Sequence, residues 1–116
     1  MTKNKLDPFQ IIWTESADDI EQKIKNNTSE IEYFSYWLKD DKQLIKIKTI
    51  EVKTFLSPNK ITYPIGKVLI CPQNEICIQC GNDFLLIKSL QIEGEKPMQS
   101  EKFIQNYPEF IGAVLQ

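Results

Sequence analysis

The sequence predicts a mostly β domain of the α+β class, a small barrel or rolled sheet with one short helix near each end. Three observations carry this. Short apolar, β-prone runs between residues 31 and 92 are separated by turn signals every ~8 to 12 residues, the spacing of rolled and barrel sheets. The two helix-like patterns flank these runs instead of alternating with them, which excludes βαβ units. A chain of 116 residues, 41% of them apolar, holds one core, so residues 1–10 read as a lead-in arm and 11–116 as a single domain.

The first helix falls in "TESADDIEQKIKNN". Thr14 or Ser16 offers an N-cap, Asp18 and Asp19 sit where the helix dipole favours negative charge, and Ala17, Ile20 and Ile24 follow at helical spacing. Asn26 and Asn27 stop it. The Ala-Ile-Ile stripe needs a partner surface, with Ile11, Ile12 and Trp13 just upstream.

Strands follow. "IEYFSYWL" is aromatic and β-prone, "DDK" at 40–42 turns, and "QLIKIKTIEVKTF" returns as the second arm of a hairpin. In that arm Ile45 and Ile47 share a face, but Ile50 and Val52 have the opposite parity. The register therefore slips by one near Thr49, as a β-bulge would make it. After a loop at "SPNK", "KVLICP" forms a strand behind Pro64 and Gly66, "QNE" turns, "ICIQC" returns and "GND" turns again. "FLLIKSLQI" puts Leu85 and Ile87 on one face, which Leu90 rejoins only if the strand bulges at Lys88 and Ser89. Ser100 is expected to cap a short helix bearing Phe103 and Ile104 that Pro108 ends, and "EFIGAVLQ" supplies a helical turn or a tail docked on the core. The expected core is Ile20, Ile24, Ile45, Ile47, Ile50, Val52, Val68, Ile70, Ile76, Ile78, Leu85, Ile87, Leu90 and Phe103.

Composition narrows the function. The basic residues are fourteen lysines with no arginine, against sixteen carboxylates, for a net charge of −2. A surface built throughout for polyanions is excluded, although a local patch is not. No run approaches the ~20 apolar residues of a membrane helix, and the N-terminus lacks the apolar segment of a secretion signal, so a cytoplasmic chain without membrane contact is expected. With no histidine and three cysteines, a zinc site has too few ligands. Cys77 and Cys80 form a Cys-x-x-Cys, but strand positions three apart face opposite ways. Cys71, Cys77 and Cys80 are therefore expected to be buried or half-buried strand thiols. No acidic residue has an evident general-base partner, and no phosphate- or dinucleotide-binding glycine pattern occurs.

From about Trp13 to Phe103, several segments stand in an order that resembles the C-terminal domain of the methionyl-tRNA formyltransferase family. They are "IIWTESADDIEQKI", "KQLIKIKTIEV", "GKVLI", "EICIQCGNDFLLIKSLQIEGEKPM" and "SEKF". The family's Leu-Gln-x-x-Gly-x-Lys-x-Met is matched by Leu90, Gln91, Gly94, Lys96 and Met98. The proline-rich turn that follows the family's first helix is not matched. The resemblance implies a small open Greek-key β-barrel in which Leu90 and Gln91 end a strand, Gly94 permits a turn, and Lys96 to Met98 lead into the closing helix. It also implies no catalytic role and no cofactor, because formyl transfer uses an Asn, His and Asp set in a separate domain.

Two functions are compatible with that resemblance. One is a binding accessory that holds tRNA through lysines on one face, for which Lys39, Lys42, Lys46, Lys48 and Lys53 are the dense candidates. Lys46 and Lys48 share the strand face opposite Ile45 and Ile47. The same lysines would also serve as edge-protecting charges on a solvated strand, and Tyr33, Tyr36 and Trp37 as core residues instead of base-stacking platforms. The other function is a protein-interaction module that docks a separately encoded formyltransferase chain, acting on tRNA or a sugar nucleotide, or that self-associates. A fragment of such an enzyme is a further possibility.

Overall fold

The computed structural model describes residues 8–28, 30–40, 42–56, 63–71 and 74–116. The lead-in arm through residue 7, the loop expected at 57–60, Asp41 of the first turn and Gln73 of the "QNE" turn lie outside the described residues.

Helix α1 (Ala17–Lys25) forms where its caps and stripe predict. Ser16 Oγ accepts the Asp19 N–H at 3.1 Å, Asp18 and Asp19 occupy the first turn, and Lys23 and Lys25 the last. Ala17 and Ile20 are buried and Ile24 is half-buried. Glu21 is buried on the same side and reaches the neighbouring strand, where its Oε1 accepts from the Thr54 N–H at 2.8 Å and the Thr54 hydroxyl at 2.5 Å, while Lys25 pairs with its other oxygen.

Strands β1 (Phe34–Lys39), β2 (Gln43–Phe55), β3 (Val68–Ile70), β4 (Ile76–Gln79), β5 (Phe84–Ile92) and β6 (Met98–Gln99) form one six-stranded antiparallel sheet, ordered β1-β2-β5-β4-β3 with β6 on β5. The expected slip lies in β2. Its pairing with β5 shifts between Thr49 and Glu51 and again between Glu51 and Val52, opposite Ser89 and Leu90. Ile47 and Val52 thereby face inward together, as do Ile87 and Leu90, all four being 4% exposed or less. On this inner face lie α1, α2 (Ser100–Asn106) and a 3-10 turn at Pro108–Phe110, around a core that includes Trp37, Phe103 and Phe110.

Several expectations need correction. Among the described residues the sheet is not closed into a barrel: β1 and β3 are its two edges and do not pair. The edges are instead covered by chain termini. Tyr36 exchanges two backbone hydrogen bonds with Gln116, at 2.8 and 2.9 Å, and Val68 exchanges bonds with Gly112 and Ala113 at 2.8 Å. Phe34 is held from the other side by Phe9 and Ile11. Ile70, expected in the core, is 48% exposed because it ends β3 beside the edge. Ile45 and Ile50 are only half-buried.

Ser100 does not cap α2 either. It is the first helical residue, and its buried hydroxyl donates to Ile87 O and accepts from the Ile76 N–H, tying the helix to β4 and β5. The "EFIGAVLQ" segment takes both expected forms, the 3-10 turn burying Phe110 and the tail burying Leu115.

Candidate nucleic-acid interface

Antiparallel partners point to the same side of a sheet, so the register assigns every strand lysine to a face. Lys46 pairs with Tyr36 and Lys48 with Phe34 and Gln91, all on the outer face, opposite Ile45 and Ile47. Beyond the bulge, Lys53 pairs with Leu86, again on the outer face, opposite Val52 and Thr54. Two residues beyond Leu86 on β5, Lys88 joins them. Four lysines from β2 and β5 thus share one side of the sheet.

The four differ electrostatically. Lys46 Nζ lies 3.5 Å from Glu93 Oε2 and 4.2 Å from the centre of the Phe34 ring, a cation–π contact. Lys88 Nζ lies 3.5 Å from Glu75 Oε2. Among the described residues no carboxylate stands within ion-pair distance of Lys48 or Lys53.

Lys39 and Lys42 belong elsewhere. Lys39 pairs with Gln43 on the inner-face parity of Trp37, and its Nζ lies 5.9 Å from the Trp37 ring centre, 5.6 Å from that of Tyr107 and 3.7 Å from Glu109. Lys42 is exposed in the β1–β2 turn, its N–H bonded to Lys39 O at 3.0 Å. Trp37 is 2% exposed and is a core residue, not a stacking platform.

The residues of the Leu-Gln-x-x-Gly-x-Lys-x-Met pattern build the β5–β6 turn. Leu90 is buried opposite Met98, Gln91 Nε2 donates to Glu95 O at 2.5 Å, and Gly94 has a φ of +90° that side chains rarely adopt. Lys96 is exposed in that turn.

The cysteines are buried or half-buried, as expected, but two of them are not free thiols. Cys71 and Cys77 form a disulfide across the β3–β4 hairpin, their Cα atoms 6.1 Å apart; adjacency in the hairpin brings them together where the Cys-x-x-Cys spacing would not. Only Cys80 is an unpaired thiol, and burial pushes its pKa up to about 12. It is protonated at neutral pH and unsuited to nucleophilic work. No group of three or more potential metal ligands occurs among the described residues, and no helix among them is long and apolar enough to cross a membrane.

Sequence reasoning missed Lys88, the two carboxylates that occupy Lys46 and Lys88, and a set of outer-face aromatics. Phe55 pairs with Phe84 across β2 and β5, and Tyr63 lies 6.2 Å from the Phe84 ring. A usable signal existed in the spacing: Lys48 and Lys53 stand five apart, as Ile47 and Val52 do, so whatever slip realigns the isoleucine and valine realigns the lysines.

A methionyl-tRNA formyltransferase from Flavobacterium johnsoniae is 37% identical over 92 residues, a match covering 78% of this chain and 27% of that protein. The chain therefore spans about a quarter of the length of this curated relative. Residues 4–108 match the family model described as "Formyl transferase, C-terminal domain", and the chain belongs to that family.

Proposed function

We propose that the chain is a non-catalytic accessory domain that holds tRNA by its phosphate backbone while a formyltransferase catalytic domain does the chemistry. The observation that carries this reading is the outer-face row of Lys46, Lys48, Lys53 and Lys88, two of them without a carboxylate partner among the described residues. Family membership and the relative's name supply the ligand class. Such a row positions a polyanion without reading its sequence, because phosphate contacts carry no base information. The pattern residues Leu90, Gln91, Gly94 and Met98 would support it indirectly by setting the β5–β6 turn. A tRNA ligand would place the chain in the cytoplasm.

The test is binding of the purified chain to bulk tRNA across a salt series. Saturable binding that weakens steeply with salt and is lost in Lys48→Glu/Lys53→Glu supports the role, whereas no binding at low salt rejects it. A second reading, docking of a separate formyltransferase chain or self-association, is favoured by one observation: Phe55 at the end of β2, Leu56 just beyond it and Ile70 at the end of β3 are 43%, 69% and 48% exposed.

A further inference from the structure

Two grooves open on the outer face and share Phe55 and Cys71. One, of about 290 Å³, is walled by Lys53, Lys88, Glu75 and Leu86. The other, of about 350 Å³, is walled mainly by apolar side chains, among them Tyr63, Leu69 and Phe84, with Lys67 as its cation. Together they make a trough with lysines at both ends and aromatic rings between. Phe55 is 43% exposed, and its ring centre is 6.4 Å from that of Phe84. Glu75 is taken up by Lys88, which leaves Lys53 and Lys67 as the trough's unpaired charges among the described residues.

Positive ends on an aromatic floor complement a ligand whose planar, weakly polar part lies between two anions. A nucleotide in a single strand has that form: a base with a phosphate on either side. A base held in a duplex does not, since its faces are already stacked. Resting on the tRNA-holding reading, we infer that this trough receives an unpaired nucleotide of RNA. Its base stacks on Phe55 and its flanking phosphates meet Lys53 and Lys67. The lysine row then holds the RNA without regard to strandedness, and the trough adds a preference for unpaired segments.

The test compares fluorescently labelled pentaadenylate with a twelve-base-pair RNA duplex by anisotropy, using the full chain and its Phe55→Ala, Phe55→Tyr and Lys48→Gln variants. Phe55 is exposed enough that its removal leaves the fold intact, which thermal unfolding checks. Phe55→Ala is expected to weaken pentaadenylate binding on the order of tenfold, the loss typical of one stacked base, while leaving duplex binding within about twofold; Phe55→Tyr keeps the ring and retains the affinity. Lys48→Gln weakens both. If both RNAs bind and Phe55→Ala is silent, or affects them equally, the trough is not a nucleotide site and is left to a protein segment, with the tRNA-holding reading intact. If neither RNA binds the unaltered chain, both fail together.

Discussion

Pairing of Lys46 with Glu93 and of Lys88 with Glu75 makes opposite-signed predictions for two kinds of variant on one face. Neutralising phosphates releases counterions, so the logarithm of the binding constant falls with that of salt by about 0.9 per duplex phosphate neutralised. If only Lys48 and Lys53 engage, the slope is about −1.8; if Lys46 and Lys88 exchange their carboxylates for phosphates, it reaches about −3.6. Between 50 and 200 mM salt this is a loss of roughly 12-fold in the first case and roughly 150-fold in the second. Lys48→Gln/Lys53→Gln should flatten the slope by about 1.8. Glu93→Gln should do the reverse and tighten binding. Its Oε2 is 3.5 Å from Lys46 Nζ at a solvent-accessible site, and a surface pair of about 0.2–1 kcal/mol corresponds to a gain of up to about fivefold. Filter binding or anisotropy with tRNA at five salt concentrations reads both quantities. Weaker binding in Glu93→Gln, or an unchanged slope in the double lysine variant, would refute the assignment of the anion to this face.

Glu21→Gln should cost about 1–2 kcal/mol at neutral pH, because the amide keeps an acceptor for the two Thr54 donors but loses the charge that strengthens those bonds and turns an NH2 group toward the Lys25 ammonium. The Lys25 ammonium, then the Thr54 hydroxyl and N–H, hold its pKa below the ordinary 4.5 despite burial. A depressed folded pKa stabilises fully above the unfolded value and loses that stability as pH falls through the folded one, so urea unfolding at pH 7 and pH 3 should find the gap between native and variant closing in acid. Gly81→Ala places a Cβ 2.0 Å from Thr14 O, where Gly81 N–H also bonds Trp13 O and Glu15 O; overpacking against backbone should lower the melting temperature by roughly 4–12 °C, and an unchanged value would contradict the close approach. Reducing the Cys71–Cys77 bridge, which spans a separation of six residues, should cost about 2 kcal/mol by chain entropy, read as a shift in urea midpoint with dithiothreitol. Cys80 should stay unmodified by an aromatic disulfide reagent at pH 8 until the chain is unfolded, since burial keeps its thiol protonated.

Local signals in the sequence were sufficient wherever one residue decides one backbone feature. Ser16 caps α1, Gly94 turns at positive φ, Pro108 follows the end of α2, and the parity change between Ile47 and Val52 locates a bulge. They failed where a residue's role depends on a distant partner. Ser100 looks like a cap, but its hydroxyl is claimed by Ile87 and Ile76, strand residues that only tertiary packing brings near. Ile70 has the parity of a core residue and is exposed because its strand is an edge. Cys71 and Cys77 pair because a hairpin returns within six residues, which a motif read along the chain as Cys-x-x-Cys does not register.

The candidate site shows the same division, with one coupling between its halves. In an unbroken strand Lys48 and Lys53, five residues apart, would face opposite sides, and so would Ile47 and Val52. The extra residue between Thr49 and Val52 brings the apolar pair into the core and, by the same displacement, sets both lysines on the outer face. On β5 the matching irregularity does this for Ile87 with Leu90 and for Lys88 with Gln91. Core and lysine row are therefore not independent features. Deleting one residue from the Thr49–Glu51 bulge would turn Lys53 inward and Val52 outward at once, so a shortened chain that stayed folded and kept the native salt slope would show that the row does not hold the anion.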